Sequence, residues 1–511
     1  MVKQKRGFFQ RSLDGIETVG NKLPHPATLF GLLALIVLGL SAIVSMFGIS
    51  VEHPGKPGEI VEVKNLLSAE GIEYIFTSMT DNFIGFAPLG VVLLTMLGIG
   101  VAERSGLISA VLRGFVLSVP NRLITLGLVF AGVMSSVASD AGYVVLPPLG
   151  AVIFAAIGRH PLAGLAAAFA GVSGGFSANL FLSGTDALLG ELTISAASII
   201  NPAYAESMNI AMNYYFIIVS VFLLTLIGAW VTEKIVEPRL GEYKGEYREK
   251  IDTLKSEEKK GILWAIISMV VATGLMALLV LPENAPMRGE GSGVDAIIQS
   301  PFMSSLVPII TILFFIPGLV YGVITKSIRN DKDVAQQMTD TMASMGMFIV
   351  LAFTAGQFIA YFNESNMGLV LGVYGAEFLD SVKLTGIPLI LMFIIITAFI
   401  NLFIGSASAK WAMMAPVFVP IMMELGYSPE LTQMAYRIAD SSTNIITPLM
   451  TYFAMIIAFA QKYDKKMGIG TMISVMVPYS LFFLIGWTIM LIVWMLFGID
   501  LGPASSILYT K

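Results

Sequence analysis

Long apolar runs recur along this chain of 511 residues, and each is long enough for a helix to cross the roughly 30 Å of hydrocarbon in a bilayer. Nine runs have the length of full crossings: 29–47, 83–102, 161–185, 214–231, 262–281, 306–325, 342–362, 431–460 and 471–498. Only 13% of the residues are charged, against about 25% in a soluble domain, and the mean hydropathy is +0.81. Because a chain in lipid must satisfy its backbone hydrogen bonds internally, we predict an all-α polytopic membrane protein.

The side-chain chemistry excludes several classes of protein. The chain has no Cys, which rules out disulfide frameworks and thiolate sites, and its three His leave little room for a His-rich metal centre. The net charge of -5 argues against nucleic acid as a partner. No G-x-x-x-x-G-K-[ST] motif occurs, so an ion gradient rather than ATP should supply the energy for transport. We do not expect an enzyme. An intramembrane hydrolase is a remote alternative, because it would have to use Asp140 and Asp440 as its carboxylate dyad.

Positive charges are distributed unevenly between the two sides of the predicted membrane. If the N-terminus is inside, 23 of the 30 Lys and Arg residues lie in cytoplasmic segments and five lie in external ones. The remaining two, Lys410 and Arg437, lie at membrane depth. Because short cytoplasmic loops retain positive charge, we predict an inner-membrane protein with a cytoplasmic N-terminus and a periplasmic C-terminus.

Two further pairs of apolar segments, at about 123–158 and 384–423, are joined without a polar loop, and Asp140 and Lys410 lie near their tips. Both tips consist mainly of small and hydroxyl-bearing residues, whereas aqueous loops are rich in Pro, Asn and charge. At about 1.5 Å per residue, most of the arms fall short of a full crossing. We therefore predict two re-entrant hairpins beside the nine transmembrane helices. Full crossings are the alternative, which Lys410 would suit as part of a cytoplasmic loop.

Each hairpin is followed by a span that polar residues interrupt. The interruptions, at 171–179 and 440–448, both contain Ser-x-Asn. By the charge pattern the first hairpin enters from the cytoplasm and the second from outside, which predicts an inverted repeat of the kind found in secondary transporters. The predicted units are a first repeat at 1–235 with a broken helix at about 161–185, a cytoplasmic loop at 236–261, and a second repeat at 262–511 with a broken helix at about 431–460.

The interrupted spans suggest how a coupling ion could bind without any other cofactor. Unwound carbonyls together with Ser and Asn oxygens can hold a hard cation, and the candidate Na+ ligands are Ser177, Asn179, Ser442 and Asn444. Helix packing is the alternative reading of Ser-x-Asn, since small and polar residues are common at membrane helix interfaces. Asp140 is a further coupling candidate, as a proton or cation site or as the cap of the following half-helix. The choice between Na+ and H+ stays open.

An ordered set of motifs resembles the AbgT family of p-aminobenzoyl-glutamate transporters nearly from end to end. The motifs are Gly-Val-Ala-Glu-Arg-Ser-Gly-Leu at 100–107, Ser-Val-Ala-Ser-Asp at 136–140, Gly-Arg-His-Pro at 158–161, Glu-Pro-Arg-Leu-Gly at 237–241 and Arg-Ile-Ala-Asp-Ser-Ser at 437–442. The resemblance implies a dimeric inner-membrane carrier with nine transmembrane helices and two hairpins per protomer. Such a carrier takes up the folate catabolite p-aminobenzoyl-glutamate or exports sulfonamide antimetabolites, which confers antibiotic resistance.

The resemblance also implies a set of substrate-binding residues. They are Asp186, Asn401, Ser408, Trp411, Pro416, Arg437, Asp440 and Pro448. Trp411 could stack on the aromatic ring of such a substrate, and Arg437 is a planar donor for its carboxylate or sulfonyl group.

Four of these residues also have a simpler interpretation. Arg437 and Asp440 stand at i and i+3 on one helix, where they could form an intrahelical ion pair. Asp186 could be a solvated residue near the outer face, and Trp411 could belong to an interfacial aromatic belt. Among transporters, a dicarboxylate carrier of related hairpin architecture is the nearest alternative, because p-aminobenzoyl-glutamate is itself a dicarboxylate.

Overall fold

The computed structural model describes residues 24–53, 58–138, 141–243, 253–290, 295–298, 300–450 and 452–509. Helices make up nearly all of its regular structure, as predicted. In the first half of the chain they are α1 Pro26–Ser45, α2 Ala69–Ile84, α3 Ala87–Arg104, α4 Leu107–Ser118, α5 Ile124–Met134, α6 Ala141–Ala156, α7 Pro161–Phe169, α8 Gly184–Ala197, α9 Pro202–Ser207, α10 Tyr214–Val231 and α11 Glu237–Leu240.

The second half of the chain continues the helical pattern. Its helices are α12 Ser256–Leu278, α13 Asp295–Ile298, α14 Pro301–Ser304, α15 Leu306–Thr325, α16 Asp331–Ser344, α17 Gly346–Glu364, α18 Met367–Ser381, α19 Gly386–Asn401, α20 Ala407–Glu424, α21 Pro429–Asn444, α22 Phe453–Gln461 and α23 Ile469–Phe497. The sequence did not predict the short antiparallel ribbon of β1 (Ser50–Glu52) and β2 (Ile60–Glu62), in which Val51 pairs with Val61.

Seven helical segments of the described residues are long and apolar enough to cross a membrane, which confirms the multi-pass helical class. They are Pro26–Ser45, Ala69–Arg104, Tyr214–Leu240, Ser256–Leu278, Leu306–Thr325, Gly346–Glu364 and Ile469–Phe497. Two bent helix pairs raise the number of possible spans to nine if each pair is one span. The first pair is Leu107–Ser118 with Asn121–Val137, bent by 110°. The second is Met367–Ser381 with Gly386–Asn401, bent by 119°. The helices α4 and α18 in these pairs have 12 and 15 residues, too few to form an apolar run of membrane length.

The two predicted hairpins are α5 with α6 (hairpin 1) and α19 with α20 (hairpin 2). Their helical arms have 11, 16, 16 and 18 residues, so each is only roughly 17 to 27 Å long. A 3-10 segment, Ser135–Ala138, extends the first arm of hairpin 1. Pro416, a predicted site residue, lies buried inside α20, where it cannot donate a helical hydrogen bond. Asp140 lies outside the described residues.

Both predicted broken helices are interrupted. The first consists of α7, a π-helical continuation at Ala170–Gly174 and, after a non-helical stretch, α8. The second consists of α21 and α22, with Pro448 half-buried in the non-helical stretch between them. We call these stretches, at 175–183 and 445–452, the first and second breaks. Every residue of α7 and of α21 is buried, so the half-helices that lead into the breaks form the centre of the molecule.

Matching hydrogen bonds join each hairpin to its break. The Asn179 amide donates to Ser136 Oγ at 2.9 Å, and the Asn401 amide donates to Asn444 Oδ1 at 2.9 Å. Both pairs are separated by 43 residues in the chain. In each pair, the last turn of a hairpin's first arm contacts the Asn of a Ser-x-Asn sequence. The register of the repeat is therefore the same at both sites.

The two halves also exchange a pair of helix contacts. The first long helix of one half, α1, packs along α17 of the other, and α15 packs along α3 in return. Such an exchange is what a two-fold relation between the halves produces. α12, which packs on α15, has no partner in this correspondence among the described helices. The inverted direction and the repeat boundaries stay predictions.

Candidate functional site

A buried Arg–Asp pair at the centre of the protein joins α21 to the start of α8, directly after the first break. Arg437 Nη2 lies 2.6 Å from Asp186 Oδ1, and both side chains are buried at 3% and 2% exposure. The other carboxylate oxygen of Asp186 accepts hydrogen bonds from the backbone N–H and hydroxyl of Ser183, both at 2.8 Å. These bonds form the N-terminal cap of α8, so the helix start fixes the carboxylate that faces Arg437.

A second buried ion pair connects hairpin 2 to α21. Lys410 Nζ lies 2.5 Å from Asp440 Oδ1, with side chains at 0% and 1% exposure. Lys410 also donates to Asn401 Oδ1 and, at 3.2 Å, to the carbonyl oxygen of Ile404. Lys410 therefore does not lie in an aqueous loop, contrary to what a full crossing would require.

These contacts correct the predicted pairing of Arg437 with Asp440. Each of the two side chains has its charged partner on a different element, Asp186 at the start of α8 and Lys410 on hairpin 2. The interpretation of Asp186 as a solvated residue is likewise wrong. Arg437 and Asp440 have different partners because every residue of α21 is buried, and side chains on neighbouring turns of this helix therefore face different elements.

Trp411 lies in the core beside the two ion pairs, so it is not an interfacial belt residue. It is fully buried, and its indole N–H donates to Thr193 Oγ1 at 2.9 Å. Its ring centroid lies 4.5 Å from that of Tyr436. Gln433 donates to the same Thr193 hydroxyl at 2.7 Å, which joins Trp411 to α21. Sequence reasoning missed Thr193 and Gln433, although uncharged polar residues inside apolar spans were the available signal.

The predicted Na+ ligands divide into two kinds. The buried hydroxyls of Ser177 and Ser442 have no hydrogen-bond partner in the described part of the chain. Asn179 Oδ1 accepts the Phe181 N–H at 3.1 Å, and Asn444 Oδ1 accepts from Asn401. Each of the two amide oxygens keeps a second lone pair. Their role as Na+ ligands stays a prediction, and no described group of three His, Asp or Glu residues could hold a metal.

Ser408 lies apart from the ion pairs, on the wall of a cavity of about 550 Å³ beside hairpin 2. A second cavity of about 580 Å³ reaches Gly184 and Thr185 at the start of α8. The two cavities share Ser344 and Phe348. Each cavity touches the N-terminal end of a helix, α20 or α8, where free N–H groups favour an anion.

The structure therefore brings four of the eight predicted substrate-binding residues together. Asp186, Asn401, Arg437 and Asp440 are linked through the two ion pairs and their hydrogen bonds. The others lie on hairpin 2 or in the second break.

Comparison with known proteins gives a consistent identification. The model of the AbgT putative transporter family matches residues 11–509. The p-aminobenzoyl-glutamate transport protein of Escherichia coli strain K12 is 40% identical over 488 residues, which cover 96% of this chain and 95% of that protein. The crystal structure of the YdaH transporter of Alcanivorax borkumensis has a TM-score of 0.89 and 45% identity, and covers 94% of this chain and 100% of that chain.

MtrF of Neisseria gonorrhoeae, which is described with a class of antimetabolite efflux pumps, also has a TM-score of 0.89. It is 48% identical and covers 95% of this chain and 97% of its own. These matches confirm the resemblance seen in the sequence and exclude an enzyme. The chain belongs to the AbgT family of membrane transporters.

Proposed function

We propose that the protein is an ion-gradient-driven secondary transporter of p-aminobenzoyl-glutamate and p-aminobenzoate-like compounds, including sulfonamide antimetabolites. The E. coli relative is named for transport of p-aminobenzoyl-glutamate, and MtrF is described with antimetabolite efflux pumps. The observation that carries the proposal is the buried Arg437–Asp186 pair, because it offers a guanidinium to an anion at the centre of the molecule, beside the first break.

The charges of the site explain why an ion should accompany the substrate. Two cations, Lys410 and Arg437, face two anions, Asp186 and Asp440, so the site is balanced when it is empty of substrate. A substrate carboxylate that binds Arg437 displaces the Asp186 carboxylate and leaves a buried negative charge. An uncompensated buried charge is costly, so a proton or a cation must arrive with the substrate. In this mechanism Asp186 occupies the place of the substrate carboxylate between transport events.

The cavities support a route to the site from one side of the membrane. The first is lined by Pro24, His25 and Pro26 at the start of α1, and the second by Arg104 at the end of α3. With the predicted orientation, both cavities lie on the cytoplasmic side. We further propose an inner-membrane location with a cytoplasmic N-terminus, a periplasmic C-terminus, surrounding lipid and a homodimeric assembly.

A dicarboxylate carrier is the second candidate function, and the packing of Trp411 favours it. The indole is covered by Tyr436 and bonded to Thr193, so it does not form an open aromatic wall. A small dicarboxylate would need no such wall, whereas an arylamide would have to contact the ring after a rearrangement.

Flux measurements on the reconstituted protein test the proposal. Proteoliposomes would receive radiolabelled p-aminobenzoyl-glutamate while a pH gradient and a Na+ gradient are imposed separately and in both directions. We expect concentrative flux with at least one gradient and its loss in the presence of an ionophore. Arg437→Ala serves as the inactive control. Flux that ignores both gradients would contradict ion coupling, and stronger competition by succinate than by p-aminobenzoate would favour the dicarboxylate carrier.

A further inference from the structure

The ammonium group of Lys410 lies in a cage of oxygen atoms. It donates to the Ile404 carbonyl oxygen at 3.2 Å and to Asn401 Oδ1, and Asp440 Oδ1 lies 2.5 Å away as its ion-pair partner. The side chain is fully buried. The ammonium group therefore has two hydrogen-bond acceptors and one carboxylate counter-ion around it.

The same three oxygens have the chemistry of a site for a hard monovalent cation. One is a carboxylate oxygen, one is an amide oxygen, and one belongs to the non-helical backbone between α19 and α20. Oxygen ligands of this kind are those that hard cations prefer. Because two positive charges a few Å apart repel strongly in a dry interior, a Na+ ion cannot share the cage with the ammonium.

The repeat shows that this cage is particular to the second half. Asn401 follows Ser136 by 265 residues, and Asn444 follows Asn179 by the same number. In that register, Val145 corresponds to Lys410 and Gly175 corresponds to Asp440. The first half therefore has neither the cation nor the anion of this pair at the matching positions.

We infer that Lys410 is a tethered cation that fills the monovalent-cation position of hairpin 2, so that the oxygens of Asn401, Ile404 and Asp440 bind no Na+ while Lys410 is present. The inference rests on the proposed ion-coupled transport and specifies its cation chemistry. Asn444 then serves to brace Asn401, and hairpin 2 is held on α21 by the ammonium in place of a free ion. Any Na+ dependence of this protein must come from another position.

Sodium binding to a Lys410→Met variant tests this inference, because Met keeps much of the length of the Lys side chain and removes the charge. Binding of 22Na+ and the unfolding temperature in detergent would be compared in NaCl and in choline chloride at equal ionic strength. We expect bound 22Na+ to rise roughly tenfold over the wild type, with a matching Na+-dependent rise in unfolding temperature, since a ligand of the folded state stabilises it. Lys410→Met with Asp440→Asn is the matched control and should show neither change.

Two results would overturn the inference. One is a folded Lys410→Met variant that ignores Na+. The other is 22Na+ binding by the wild type that Asp440→Asn abolishes, and this measurement decides the matter even if Lys410→Met does not fold. Both readouts are taken without substrate, so they are independent of whether p-aminobenzoyl-glutamate is transported.

Discussion

Four buried charged residues of this protein form two pairs that join different elements. Arg437 is joined to Asp186 across 251 residues of chain, and Lys410 is joined to Asp440 across hairpin 2 and α21. A buried ion pair gains little over an apolar pair of the same size, but a single buried charge without its partner is costly. The pairs therefore make the positions of α8, α21 and hairpin 2 depend on one another, which suits a site whose occupancy must be communicated between the halves.

Removing both members of a pair should disturb folding less than removing one. Arg437→Ala alone leaves Asp186 buried without a cation, and we expect it to lower the free energy of unfolding by about 3–5 kcal/mol. Arg437→Ala with Asp186→Ala should regain much of this loss in unfolding temperature, yet remain inactive in flux because the anion donor is gone. The matched control is Arg437→Ala with Asp440→Ala, which strands both Asp186 and Lys410. If that control were the more stable double variant, the observed pairing would be contradicted.

At the scale of elements, hairpin 1 and the first broken helix pack with their backbones in contact. A Cβ atom on Gly171 would lie 2.6 Å from the Val129 carbonyl oxygen and 2.9 Å from Gly132 Cα. Small residues permit such close approach between helices in membranes. The π-helical turn that contains Gly171 thus lies directly against the hairpin arm, and it leads into the first break.

A single methyl group at this contact should therefore be destabilising. We expect Gly171→Ala to lower the free energy of unfolding by about 1–3 kcal/mol, since the neighbouring atoms are backbone and cannot move aside. Gly274→Ala on α12 is the matched control, because nothing lies within 4 Å of its added Cβ. There, Ala should be neutral or stabilise the helix by up to about 1 kcal/mol. Equal unfolding temperatures for the two variants in detergent would argue against the close packing.

The start of α7 offers a pH-dependent test at the same scale. His160 Nδ1 accepts the Leu162 N–H at 3.2 Å and so caps the helix. Burial lowers the pKa of His160 below its usual 6.5, although nearby Glu237 and Asp464 oppose the shift. The folded state thus prefers the neutral ring. The contribution of His160 to the stability of the fold is present above pH 6.5 and is lost as the pH falls through the folded-state pKa.

We expect the unfolding temperature of the wild type to fall more than that of His160→Asn when the pH is lowered from about 7.5 to about 5. These two pH values bracket the ordinary pKa of His. Asn keeps a capping acceptor but does not titrate in this range. Identical pH profiles of the two proteins would show that His160 does not contribute.

At the scale of the whole molecule, the sequence was most informative where the signal is local. Apolar runs, hairpin tips without polar loops and the Ser-x-Asn sequences predicted the helical class and the first break. The second Ser-x-Asn is still helical, at the end of α21, so the second break starts later than the predicted 440. The partners of Arg437 and Asp440 could not be predicted, because the i, i+3 rule considers only neighbours on one helix while the true partners lie on other elements. The helices α4 and α18 were missed because they are short, and the β-ribbon was missed because its two strands have only three residues each.

The orientation of the molecule determines which side the two cavities face, and it can be measured because the chain has no Cys. Single Cys residues would replace Ser207 and Lys383 on the predicted periplasmic side, and Glu242 and Lys465 on the predicted cytoplasmic side, all four exposed in the structure. Because positive charge is retained on the cytoplasmic side, a membrane-impermeant maleimide should label only the first two in intact spheroplasts, and the other two after permeabilisation. The unmodified chain is the blank. The opposite labelling pattern would reverse the predicted orientation and open both cavities to the periplasm, so that the site beside Arg437 would receive substrate from outside the cell.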